Sequence, residues 1–227
     1  MFVINSYNSI NGKNLPDEFT MELAEESFKS VKKYTGMDTV LYVDSWTAPY
    51  FRGFKYTDII ITDFPYINDT FWNIGKMYVY SLQNEPFVHI DLDIIARDGF
   101  RIPEEGIICE FLRNIEHSDE TLKYYYPQYE IPNFIMCSGF SGGTDYGSIY
   151  KDNFEHIMAV ADREEGACFE NLFSAEEVAF TQLVKERKLK ISPMEPNTFI
   201  HMQGKNKQMK FGNLLETIKL ERFNVKF

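Results

Sequence analysis

The chain has few cysteines, no long apolar run and a shortage of positive charge, and each lack argues against a class of function. Cys109, Cys137 and Cys168 are odd in number and far apart, with no Cys-x-x-Cys pair and no Cys/His cluster. A structural zinc site or a disulfide framework needs closely spaced ligands or paired thiols, so the three are expected to be reduced, buried thiols. No apolar stretch reaches the ~20 residues of a membrane-spanning helix. The Met1-Phe-Val-Ile-Asn-Ser-Tyr7 start lacks the basic and long apolar regions of a secretion signal. The expectation is a soluble, cytoplasmic protein with no membrane span. Lys and Arg number 23 against 34 Asp and Glu, a formal net charge of -11. Phosphate backbones and anionic lipid surfaces are bound through Lys and Arg, so nucleic acid is not an expected partner. A phosphorylated small molecule stays open, because a bound metal inverts the local electrostatics.

What is there suits a sizeable core. The 227 residues are 44% hydrophobic and 16% aromatic, with no internal repeat and no linker long enough to separate two domains. A single domain over 1–227 is expected. Phe2–Tyr7 reads as a buried strand. Leu15-Pro-Asp-Glu opens a helix to about Lys33 that Gly36 ends, and Thr39–Trp46 and Asp58–Phe64 read as further strands. A helix over 71–84 carries Trp72, Gly75 and Lys76, and a strand over 86–96 follows it. Alternation of this kind predicts an α/β fold with a mostly parallel central sheet flanked by helices. Past residue 100 the pattern is less regular. Strands are expected over 106–111 and 133–140, the latter broken by Ser141-Gly142-Gly143. Helices are expected over 146–164, 174–188 and 209–222, with short strands over 191–194 and 198–202.

Two segments carry chemistry. In Pro86-Phe-Val-His-Ile-Asp91-Leu-Asp93-Ile-Ile-Ala96 an apolar strand meets two carboxylates. Like charges beside a buried strand are costly unless a cation or strong donors compensate them. The carboxyl end of a parallel strand is also where open α/β folds bind ligands. Asp91 and Asp93 thus read as metal ligands or as two turn carboxylates. Far downstream, His201-Met-Gln-Gly204-Lys-Asn-Lys207 follows a short apolar strand. An imidazole suits manganese or zinc, a glycine admits a diphosphate close to the backbone, and a lysine reaches phosphate oxygens.

The ordered pair, Asp-x-Asp and then His-x-x-Gly-x-x-Lys, resembles the GT-A glycosyltransferases. It is most similar to the retaining family 8 group that includes glycogenin and bacterial galactosyltransferases. The stretch from Trp72-Asn-Ile-Gly-Lys76 to the acid pair is also similar to uncharacterised bacterial glycosyltransferase-like proteins. The resemblance implies a GT-A, nucleotide-diphospho-sugar transferase-like domain. Its nucleotide-binding half, 1–100, ends in the acid strand, and the acceptor half, 101–227, carries the terminal motif. It implies Asp91, Asp93 and His201 as ligands of Mn2+ (or Mg2+), with Gly204 and Lys207 on the donor diphosphate and Lys76 reaching the donor. The chain departs from family 8 where Gln208-Met209 replaces the Pro-Trp that usually follows the terminal lysine.

Other residues complete the set of site candidates. Ser138-Gly-Phe-Ser-Gly-Gly143-Thr-Asp145 resembles the segment shaping the acceptor and sugar pocket. Asp145 and Glu177, the latter in Glu176-Glu177 near a helix start, are the candidate catalytic carboxylates; each also reads as a helix-end charge. His89 and Trp72 read as core side chains. The implied activity is metal-dependent transfer of a sugar from a nucleotide-diphosphate sugar, UDP-sugar foremost, with retention, to a glycan, protein or small-molecule acceptor. The alternatives are a sugar-nucleotide hydrolase and an inactive domain that binds nucleotide or glycan.

Overall fold

The computed structural model describes residues 1–66, 73–114, 134–144, 149–161, 172–202 and 207–214. Its strands are β1 (Phe2–Tyr7), β2 (Thr39–Val43), β3 (Asp58–Ile61), β4 (Phe87–Ile90), β5 (Ile94–Ala96), β6 (Ile107–Cys109), β7 (Leu112–Asn114), β8 (Phe134–Met136), β9 (Phe140–Gly143), β10 (Ile191–Pro193) and β11 (Phe199–His201). Its helices are α1 (Glu18–Thr35), α2 (Ala48–Phe51), α3 (Ile74–Ser81), α4 (Ile149–Ala161), α5 (Leu172–Glu186) and α6, over 207–214. Seven strands form the central sheet in the order β10-β6-β9-β4-β1-β2-β3. Strand β9 runs antiparallel to both neighbours, and the other pairings are parallel.

Alternation along the buried strands separates two cores. Ile4, Phe87 and Ile107 face α3, α4 and α5, packing with Tyr80, Tyr150, Phe180 and Val184. Their neighbours Val3, Val88 and Ile108 face the other way, toward Val31 of α1 and Ile94 of β5. Helix α1 begins where the Asp17 carboxylate accepts from the Thr20 N–H, and ends at Gly36 in the left-handed region (φ 63°).

The expected strand over 86–96 is two strands. The chain turns at Asp91-Leu92-Asp93, with the Ile94 N–H donating to the Asp91 carbonyl (3.1 Å). Strand β5 then leaves the main sheet to pair antiparallel with β11, placing His201 opposite Ile94. Apolar residues on both sides of the turn conceal it, because each strand is buried in its own sheet. A second expectation also fails: Gly142 and Gly143 do not break a strand but lie inside β9, between β4 and β6. Backbones approach so closely there that side chains are excluded. A Cβ on Gly142 would stand 2.7 Å from the Val88 Cα, and one on Gly143 would strike the Gly106 carbonyl. The expected strand over 39–46 stops at Val43, and the short helix α2 follows. Among the described residues no helix is long and apolar enough to cross a membrane.

Candidate functional site

The carboxyl ends of the parallel strands β1, β4 and β6 meet at one edge of the sheet. Antiparallel β9 brings its amino end there, where the Gly139 carbonyl accepts from the Asp91 N–H (3.1 Å). A cleft of about 580 Å³ opens at this edge, lined by Tyr7 at the end of β1, by Asn8 after it and by residues of all the segments below.

Asp91 leaves β4 with its Oδ1 held by the Lys76 ammonium (2.7 Å), which α3 supplies from below. The same ammonium donates to the Ser138 carbonyl. Burial raises the Asp91 pKa, opposed by Lys76 and reinforced by Asp93, and 26% of its side-chain surface stays open to the cleft. Asp93 faces two cations. The His201 Nε2 lies 3.2 Å from its Oδ1, and the Lys207 ammonium at the start of α6 pairs with its Oδ2. Burial opposes ionisation of Asp93, but hydrogen bonds and charge from His201 and Lys207 prevail and hold it at about 2.

His201 reaches Asp93 because β11 runs alongside β5 and the Met202 N–H donates to the Asp93 carbonyl (2.9 Å). Its Nδ1 meets the Glu110 Oε2 at 2.8 Å. Burial works to lower the imidazole pKa, yet Asp93 and Glu110 outweigh it and raise His201 to about 9. Among the described residues, Asp91, Asp93 and His201 are the one group of three such side chains whose ligand atoms converge, all within 4.8 Å of one another. Two carboxylate oxygens and one imidazole are a donor set that suits a divalent cation such as manganese, magnesium or zinc.

A second network adjoins this one through Ser138. Glu177, on α5, accepts from the Ser138 N–H (3.1 Å) and from Arg113 of β7 (2.5 Å). Burial raises its pKa against the pull of Arg113 and Ser138. Beneath Asp91, His89 is fully buried, shares a hydrogen bond with Ser6 Oγ (2.9 Å) and packs edge-on against Tyr80. Burial and Lys76 keep its pKa well below the usual value, so it is a neutral core imidazole.

The structure thus brings Lys76, Asp91, Asp93, His201, Lys207 and Glu177 to one cleft. Asp145, Gly204 and Trp72 lie outside the described residues, as does the side chain of Glu176. Ser138, which opens the segment expected to shape the pocket, also lines the cleft, whereas Glu110 and Arg113 were not anticipated. Glu110 had a signal, an acid directly after the buried run Ile107-Ile-Cys109, the same pattern that marks Asp91. Arg113 had none.

No family model matches the chain, and no curated protein matches it. Solved structures do. The chain is similar to the nucleoside-diphosphate-sugar pyrophosphorylase from Vibrio cholerae RC9 at 14% identity and a TM-score of 0.53, over 93% of this chain and 99% of that one. It is also similar to the PaToxG glycosyltransferase at 15% identity and a TM-score of 0.49, over 82% of this chain and 68% of that one. At 14% identity the first likeness is one of fold alone: a central, mostly parallel sheet flanked by helices.

Proposed function

We propose that the protein is a metal-dependent glycosyltransferase that takes a sugar from a nucleotide-diphosphate sugar, foremost a UDP-sugar. The observation that carries this is the convergence of Asp91, Asp93 and His201, flanked by Lys76 and Lys207, in a cleft at the carboxyl ends of the strands. The kinship with family 8, and retention with it, is the finer component of the same reading.

A divalent cation on the three ligands supplies Lewis-acid neutralisation of the charge that grows on the departing diphosphate. Lys207 and Lys76, now paired with Asp93 and Asp91, add point charges for the same oxygens, with Gly204 admitting them close to the backbone. Tyr7 and Asn8 line the cleft where it continues past β1, the side assigned to the nucleoside. Glu177, with Arg113 and Ser138, faces the sugar and acceptor in this reading, and Asp145 is the second carboxylate assigned to them.

The test is a thermal-shift series with UDP-, GDP- and ADP-sugars, with manganese or with EDTA. At ligand about 100-fold above its Kd, stabilisation of ~2.7 kcal/mol, or about 5–10 °C, is expected with metal and none with chelator. Nucleoside diphosphate released on turnover identifies transfer or hydrolysis; nucleoside triphosphate formed on adding pyrophosphate identifies the chemistry in the neighbour's name instead. Equal stabilisation with and without metal, or none, overturns the proposal. The series has a pH signature. A histidine pKa raised from 6.5 to about 9 contributes stability that is complete below 6.5 and fades as pH rises through 9. That contribution is ~3 kcal/mol at most, counted once for the His201–Asp93–Glu110 cluster. The His201 proton facing Asp93 must also leave before Nε2 binds metal. The metal-dependent gain therefore grows from pH 6.5 to pH 9 while the metal-free melting temperature falls.

A further inference from the structure

Glu110 is 4% exposed, in a place where a carboxylate is costly without strong donors. It sits at the carboxyl end of β6, its N–H donating to the Cys137 carbonyl (3.0 Å). Its Oε2 accepts from the Cys137 thiol (3.3 Å) and meets His201 Nδ1 at 2.8 Å. Gly139 makes this contact possible. A Cβ there would strike the same Oε2 and stand 2.8 Å from the His201 Cε1. With Nδ1 committed to Glu110, the nitrogen presented to Asp93, at 3.2 Å, is Nε2.

We infer that Glu110 is the positioning residue of the metal site: it accepts the His201 Nδ1–H and so fixes the ring and the tautomer that turn Nε2 toward Asp91 and Asp93. The inference rests on the metal reading above. A carboxylate behind a metal-bound imidazole sets ring orientation and raises its basicity, and its loss typically costs about 10–100-fold in metal affinity. Glu110 itself holds neither the metal nor the donor. The Cys137 thiol, raised to about 12 by burial first and then by Glu177 and Glu110, stays protonated and keeps donating to it.

The test measures Mn2+ binding to the purified protein by electron paramagnetic resonance, reading both affinity and the nitrogen coupling of a coordinated imidazole. Wild type should show nitrogen coupling that His201→Ala removes. Glu110→Gln keeps the side chain's size and should lower Mn2+ affinity about 10–100-fold and weaken the coupling. Glu110→Asp, which keeps the charge but withdraws it from Nδ1, should do the same and serves if the glutamine variant does not fold. In a His201→Ala background either change should alter affinity by less than about twofold, because a residue acting through His201 has nothing left to act on. A purely structural Glu110 would lower the melting temperature and leave affinity and coupling as in wild type, which overturns the inference. Wild type without nitrogen coupling marks failure of the metal reading itself, and the inference falls with it.

Discussion

Asp91→Asn combined with Asp93→Asn is expected to abolish the metal-dependent stabilisation by nucleotide sugars and to lower turnover by at least ~10³-fold. Asparagine keeps the shape of both side chains and removes both charges, so the cleft retains its walls and loses two of three metal ligands. The change also takes an ion-pair partner from each lysine. Lys76, whose side chain is 11% exposed, would keep the Ser138 carbonyl but lose its carboxylate. Removing one partner of a buried pair costs about 3–5 kcal/mol, less where solvent reaches it. A lowered melting temperature without ligand is therefore expected as well, and circular dichroism at low temperature establishes that the variant is folded. Adding Lys76→Met should recover some of that stability and none of the metal response. A folded double variant that still gains several degrees from manganese and donor would show that these carboxylates are not the ligands.

The second large effect belongs to the sheet. Gly143→Ala is expected to cost about 4 kcal/mol or more, enough to leave little folded protein at 37 °C. Gly143 has φ 128° and lies beside β6, where a Cβ would drive into the Gly106 carbonyl. Neither strand can yield, because β9 is held between β4 and β6. Gly36→Ala is the control. Its φ is 63°, but nothing lies within 4 Å of an added Cβ, so only the left-handed penalty of ~1–2 kcal/mol applies. Urea denaturation of the two variants should separate them clearly. Equal midpoints would mean that β9 does not lie between β4 and β6 as described.

The contrast between these glycines shows what the sequence carries. Gly36 ends α1 by a local rule, one residue in one conformation, and was legible together with the Asp17 start. Gly142 and Gly143 answer to backbones that are remote in sequence, so a local reading took them for a strand break. The same division runs through the site. The buried runs of β1, β2 and β4, and an acid directly after one of them, follow from composition and period. The turn at Asp91-Leu92-Asp93 does not, since Leu92, Ile94 and Ile95 extend the apolar run through it. No spacing rule brings His201 to Asp93; the antiparallel pairing of β11 with β5 does so, and the resemblance of the two motifs anticipated the meeting without its geometry. Glu110 was within reach. The rule that singled out Asp91 after Val88-His-Ile90 applies equally to the acid after Ile107-Ile-Cys109. Arg113 enters the cleft through long-range packing of β7 against α5, which sequence pattern does not encode; the Ser138 segment was anticipated by resemblance, but not its hydrogen bond to Glu177.

In the proposed function, Asp91, Asp93 and His201 together hold one metal ion that carries the donor's diphosphate. Anomalous diffraction at the manganese edge, from crystals grown with Mn2+ and UDP, tests it most directly. One strong peak is expected, bounded by the two carboxylates and His201 Nε2, with the diphosphate on its open side toward Lys207. A peak away from all three residues, or bound UDP with no metal beside its phosphates, would contradict it.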